Sequence, residues 1–391
     1  MRLILSFSLI FSFVTINFAQ PQLIPFRKGK KWGFCNSKKE IKIPVKFQFV
    51  SKFTNGYAEV VLNDKHGLIN QKGEFIAKPI YQDIYDMIGG RAGVEKKSLW
   101  GFIDINGRIV VKPKYDNVYS FYEGLAAVEK GNKWGFIDST GKEVIPLIFS
   151  KVFSSKNGLA GVFIGTKCGF INKKGKEIIK IKYDQIPFRY ADMFCDGLSA
   201  VRLNNFWGFV NIKGDLVIPN IFDYVSAFSE KLAAIESNKL YGFINLKGDI
   251  IIKPQYNNVY AFHENLCCVW KGNNAGYINR KGKLITELKY TSANSFNEGM
   301  ARVGLGGKFG FIDTTGKVVI PIVYSGEDNF HEGFAAVKKD NKWGFINKLG
   351  KVVIPFKYKS ATFFENGIAG VFYDGVWGYI GKNGEEYWVG K

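Results

Sequence analysis

Few stretches of this 391-residue chain carry the residue types that chemistry needs. Gly304-Leu305-Gly306-Gly307-Lys308 has the glycines and lysine of a phosphate-binding loop. It lacks Ser or Thr after the lysine, and it sits in a strand–turn–strand pattern rather than between a strand and a helix. The three histidines, His66, His263 and His331, show no metal-ligand spacing, and no metal site is expected from them. Asp104, Asp138 and Asp313 recur at one position of a repeated motif, as turn formers do, whereas a catalytic pair should be unique. No nucleophile, base and orienting group can be assembled, and no catalytic residue or cofactor is expected. The chain reads as a non-catalytic protein; the alternative is a polysaccharide-acting enzyme with its site in an insertion or the return loops.

The basic residues do show a pattern. Lys and Arg number 54 against 34 Asp and Glu, a net charge of +20. Lysines such as Lys133 and Lys342 precede a recurrent Trp-Gly pair, and others, such as Lys142 and Lys351, follow a later turn. Stacked units would set them in rows, giving Lys133, Lys142, Lys342 and Lys351 as candidates for binding an acidic protein or an anionic envelope polysaccharide. Nucleic acid is not expected, because Arg is scarce and the N-terminus points to export. Arg189 and Tyr190 are further candidates, since both types are enriched at binding hot spots and both lie in the one insertion, near 185–195.

The elements that must position these residues come from a repeat. Trp32, Trp100, Trp134, Trp207, Trp343 and Trp377 precede Gly, and His66, Cys168, Tyr241, Ala275 and Phe309 take the Trp place in the intervening copies. Nine of the ten steps are 34 residues, and the step from Cys168 to Trp207 is 39. Recurrent Gly and Pro exclude helix. In the Trp134 copy the spacing predicts strands at Leu125–Lys130, Lys133–Asp138 and Glu143–Ile145, the last ended by Pro146. Gly131-Asn132 suits a tight hairpin, and Asp138 through Gly141 a second turn. The Trp side chains are expected in the core, with aromatic residues from neighbouring units filling the space each Gly leaves.

The motif Trp134-Gly135-Phe136-Ile137-Asp138 through Gly141-Lys142, repeated as Trp343-Gly344-Phe345-Ile346-Asn347 through Gly350-Lys351, resembles the bacterial WG-repeat (KWG-repeat) family. That resemblance covers nearly all the chain after the leader and implies an interaction module without a shared activity or family catalytic residues. The fold expected is all-β: tandem 34-residue repeats, each a three-stranded antiparallel meander, stacked into an open curved array or solenoid. No leftover strand is available at one end to complete a unit at the other. Two β-propellers of five and six blades are the alternative.

Residues 1–19 read as a signal peptide, with Arg2 before an apolar run and Ala19 at the cleavage site; residues 20–391 form the array. The expected location is the periplasm, the extracellular space or the cell surface, with no transmembrane segment after cleavage. Five cysteines scattered over repeat core positions do not form a disulfide framework.

Overall fold

The computed structural model describes residues 23–155, 157–187 and 193–390. The proposed signal peptide therefore lies outside the described residues, as do Arg189 and Tyr190. Eleven small sheets follow one another, and every element among the described residues is a strand. No helix among them is long and apolar enough to cross a membrane.

Local chemistry builds each unit as its turn residues require. In the fourth repeat Leu125–Lys130 pairs antiparallel with Lys133–Asp138. Gly131 and Asn132 between them both have φ of 60°, the left-handed region of a type I′ hairpin. Asp138 Oδ1 accepts from the N–H groups of Thr140 at 2.9 Å and Lys142 at 3.1 Å, which fixes the second turn.

The third strand corrects the expected end at Pro146, for it runs from Glu143 to Phe149. Phe136 faces Ile145 while Trp134 faces Phe149, so the third strand bulges between those partners. Pro146 lies in that bulge, where no amide hydrogen is needed for a ladder. The bulge presses backbone onto Gly135, where a Cβ would sit 2.5 Å from the Ile145 carbonyl oxygen. The recurrent Gly thus makes room for its own third strand, not for a neighbour's ring.

A fourth, two-residue strand links the units. Lys151–Val152 leaves the fourth repeat and pairs with Leu159–Ile164 of the fifth. Most sheets therefore have four strands instead of the expected three, and each borrows one from its predecessor. The cores follow the same rule: Phe136 and Ile145 pack with Val162 and Ile171 of the next repeat. In several cores one ring pair recurs edge-on, as Phe102–Phe121 at 4.9 Å, Phe243–Phe262 at 4.8 Å and Phe311–Phe330 at 4.9 Å. Such pairs add about 0.5–1.5 kcal/mol each beyond the area they bury. The insertion is absorbed without breaking this pattern, since Phe194 still packs on Phe170 at 5.0 Å.

The ends decide the architecture, and they correct the open array. Trp388–Val389 pairs in parallel with Ile24–Lys28, with Arg27 opposite Trp388 and Lys28 opposite Val389. The last strand takes the place that a preceding repeat would have filled. Ile24, Phe26 and Cys35 share one core with Ile368 and Tyr387 across the join. The sheets form a single eleven-membered, propeller-like ring, so the division into five and six blades does not occur.

Candidate functional site

The ring's clefts lie between successive return connections, and their linings differ. The cleft of about 570 Å³ over the third to fifth repeats is lined by Tyr85, Asp86, Tyr119, Ser120, Tyr122, Phe153 and Ser154 among others. Tyr85, Tyr119 and Phe153 stand one repeat apart, each fifteen residues before its Trp site. Tyr85 stacks on Trp100 with centroids 4.3 Å apart, and Tyr119 lies on Trp134 at 4.8 Å with the same 30° tilt. Trp100 and Trp134 are 8% and 7% exposed, so each is a buried plinth for a tyrosine that reaches the cleft. Burial, with the charge of Glu129 behind it, pushes the Tyr119 phenol above its ordinary range and keeps it a hydrogen-bond donor.

The Trp place is not uniformly core, which corrects the sequence expectation. Trp32, Trp207 and Trp343 are half-buried, and Trp377 is 45% exposed. In two copies without the Trp, an aromatic ring stands across the hairpin instead. Ala275 faces Trp270, which packs on Tyr260 at 4.7 Å; Cys168 faces Phe163, which packs on Phe153 at 5.8 Å.

A second cleft, about 540 Å³, straddles the join and includes Trp32, Phe49, Phe363, Trp377 and Tyr379 in its wall. Its ionic groups, Lys52 and Glu365, pair with each other at 3.0 Å.

The candidate lysines are exposed but do not form one stripe. Lys133 begins the second strand, and Lys142 follows its far end beyond the turn. At about 3.3 Å per residue the strand alone separates them by roughly 17 Å, more than the ~10 Å over which surface charges act at 0.1 M salt. Lys342 and Lys351 repeat that arrangement in the tenth repeat. The four residues therefore belong to two separate edges of the ring.

Sequence reading missed a carboxylate ladder on the edge near the second turn. Glu123, Glu298 and Glu332 each hold the turn of the following repeat, accepting from the N–H of Gly158, Gly333 and Gly367 at 2.8–2.9 Å. Lysines of the following repeats complete the pairs: Lys173–Glu123 at 3.5 Å, Lys348–Glu298 at 3.2 Å and Lys382–Glu332 at 3.0 Å. The 34-residue recurrence of Glu before Gly was the available signal.

Two further clusters escaped the sequence reading. In the ninth repeat, Arg302 and Glu327 stand where most other repeats have small or apolar residues, and they pair at 2.7 Å. The Glu327 side chain is 2% exposed, and burial pushes its carboxyl up to about 7 against the pull of Arg302. In the second repeat, one ligand atom each from Glu59, His66 and Asp83 lies within 4.8 Å of the other two, a convergence that sequence spacing does not show. Burial raises the Cys35 thiol to about 11 and the Cys168 thiol to about 12.

A closed succession of small sheets, most of them bound to the next by a borrowed strand, defines a propeller-like all-β repeat protein. The family model described as WG containing repeat matches residues 32–65, 67–100, 100–134, 134–168, 169–205, 207–241, 241–274, 276–309, 309–343 and 343–377, and the chain belongs to that family. Comparison with curated proteins finds no match. Among solved structures, the chain is similar to the eukaryotic initiation factor at 13% identity and a TM-score of 0.42, covering 76% of this chain and 95% of that one. It is similar to Hsv2p of Kluyveromyces lactis at 11% identity and a TM-score of 0.31, over 58% and 92% of the two chains. A third is the extracellular domain of the putative hybrid two component system BT4673 from B. thetaiotaomicron, at 10% identity and a TM-score of 0.28, over 93% and 74%. All three scores fall below one half, too low to carry an argument about function.

Proposed function

We propose that the protein is an exported, non-catalytic scaffold that binds a polysaccharide in the clefts between its repeats. The observation that carries this reading is the pair of tyrosines, Tyr85 and Tyr119, each backed by a buried tryptophan at one open cleft. A flat ring held rigidly by a second ring suits the C–H face of a sugar, while Ser120, Ser154 and Asp86 offer hydrogen bonds to hydroxyl groups. Similar clefts elsewhere on the ring suit a chain of repeated units, because weak contacts at several places sum when they are linked. The lysine-rich surface favours an anionic polymer over a neutral one.

The rival reading is a polysaccharide-acting enzyme, which ordinarily needs two carboxyl groups about 5–9.5 Å apart across the scissile bond. Among the described residues lining the Tyr85–Tyr119 cleft, Asp86 is the single carboxylate, and at the join Glu365 is engaged by Lys52. This favours binding without cleavage. Affinity electrophoresis in gels containing a polyuronate or a neutral glucan tests the proposal. Retardation should be stronger in the polyuronate, fall with added salt, and be largely lost in Tyr85→Ala/Tyr119→Ala. Mobility unchanged by either polymer, or equal retardation of that variant, would refute it; release of reducing ends would support the enzyme.

A further inference from the structure

We propose that Glu59, His66 and Asp83 bind a divalent transition-metal ion that staples the second sheet to the third. One ligand atom from each residue lies within 4.8 Å of the other two, and all three side chains are half-buried. Glu59 lies on Tyr57–Leu62 and His66 on the adjoining Lys65–Asn70, with His66 Nδ1 2.5 Å from Glu59 Oε1. Asp83 comes from Asp83–Ile84, which has already crossed to pair with Arg91–Lys96 of the third repeat. The cluster therefore spans two sheets.

The repeat itself supplies a control for what these positions otherwise hold. Residues equivalent to Glu59 are small, as Gly93, Ala127, Gly161, Ala200, Ala234, Ala336 and Gly370. The place of His66 belongs to Trp in most copies. Both departures fall in one repeat, and they put two carboxylates beside one imidazole. Arg302 shows the other way to place a charge at the Glu59 position, balanced by one opposite partner, Glu327. Here the acids outnumber the base. One imidazole cannot balance two carboxylates, whereas a dication neutralises both.

The donor set selects the ion. Imidazole nitrogen with two carboxylates suits Zn²⁺ or another late first-row dication, and disfavours Ca²⁺, which takes oxygen ligands. Three protein ligands leave a coordination position for water. Binding requires the hydrogen-bonded His66–Glu59 pair to part so that the ion sits between them.

The test uses chelator-treated protein titrated with Zn²⁺ by calorimetry and followed by thermal unfolding. His66→Trp and Glu59→Ala restore residues that the other repeats carry, so both variants retain the fold. Wild-type protein should bind one Zn²⁺ and unfold at a higher temperature with it. His66→Trp and Glu59→Ala should lose both effects, and Asp83→Asn should weaken binding by more than about tenfold. Ca²⁺ at the same concentration should not substitute. Absence of Zn²⁺ binding in the wild type, or equal binding and stabilisation in His66→Trp, would overturn the proposal, the latter assigning the ion to other surface groups.

Discussion

The interface between the fourth and fifth repeats and the join between the eleventh and the first perform the same task with different means. At the former, the chain runs through: Lys151–Val152 leaves one unit and pairs antiparallel with the next, and Glu123 grips Ser155 at 2.6 Å and Gly158 at 2.8 Å. At the join nothing is covalent. Two residue pairs in parallel register, the bonds from Arg27 N–H to Tyr387 at 3.2 Å and Gly29 N–H to Val389 at 3.1 Å, and a small shared core hold the ends together. Continuity of the chain makes an interior interface cheap in entropy, because neighbouring strands are already close. The join must close a loop of the whole ring, and its contacts must offset that cost.

The largest expected difference comes from cutting the join. A chain ending at Glu386 loses Tyr387, which is 4% exposed, together with the parallel strand. The expected loss is about 5 kcal/mol, from an emptied aromatic site and unmade backbone bonds. Small-angle scattering should then report a larger radius; an unchanged profile and unfolding temperature would mean that the join contributes nothing.

Next comes a test of how a charge weakens an interior interface. Arg302→Ala alone should cost about 3–5 kcal/mol, because it strands a buried Glu327 carboxylate. Restoring the repeat's ordinary residues with Arg302→Ala/Glu327→Val should be neutral or stabilise by about 1–4 kcal/mol. The sign with pH follows from the raised carboxyl, about 7 against an ordinary 4.5. Stability associated with Glu327 is fully present below the ordinary value and is lost as pH rises through about 7. Urea denaturation between pH 4.5 and 8 should show that fall in the wild type and not in the double variant.

Tryptophan position sharpens the contrast further. Trp134→Ala at the interior should cost about 3–5 kcal/mol, while Trp377→Ala at the join, 45% exposed, should cost about 1 kcal/mol or less. Equal losses by chemical denaturation would show that exposure is a poor guide to the worth of this site.

The smallest effect belongs to the carboxylates. Glu298→Gln should cost about 1 kcal/mol, and Glu365→Gln at the join less than about 0.5. Burial would raise the Glu298 carboxyl, but the Gly333 N–H, the Lys348 ammonium and the Glu332 N–H outweigh it and hold it low. Its stability is therefore present above the ordinary 4.5 and lost as pH falls below it. Acid unfolding of Glu298→Gln should lack that share; an identical acid profile would remove the ladder as a stabilising device.

The two outermost levels of organisation were legible to different degrees. Period, strand order and turn chemistry could be read because they depend on residues a few positions apart. Asp138 binds the N–H groups two and four residues on, and Gly131-Asn132 turns the hairpin between adjacent strands. The course past Pro146 is not legible locally, because a proline that ends one kind of ladder also fits a bulge, and the bulge shows only in the pairing of Trp134 with Phe149. The candidate lysines were legible as a pattern, while their division between two edges follows from the strand that carries Lys133 away from Lys142.

What the sequence determined by itself is the repeat: a β unit that exposes apolar surface on both sides and cannot stand alone. What only the tertiary structure decided is where distant units meet. Trp388–Val389 gives no local sign that it pairs in parallel with Ile24–Lys28, because its partner lies at the opposite end of the chain. Glu59, His66 and Asp83 likewise converge because a connecting strand carries Asp83 into the next sheet. Short-range hydrogen bonds write themselves into neighbouring residue types, whereas closure depends on the small rotation between sheets summed over the whole ring.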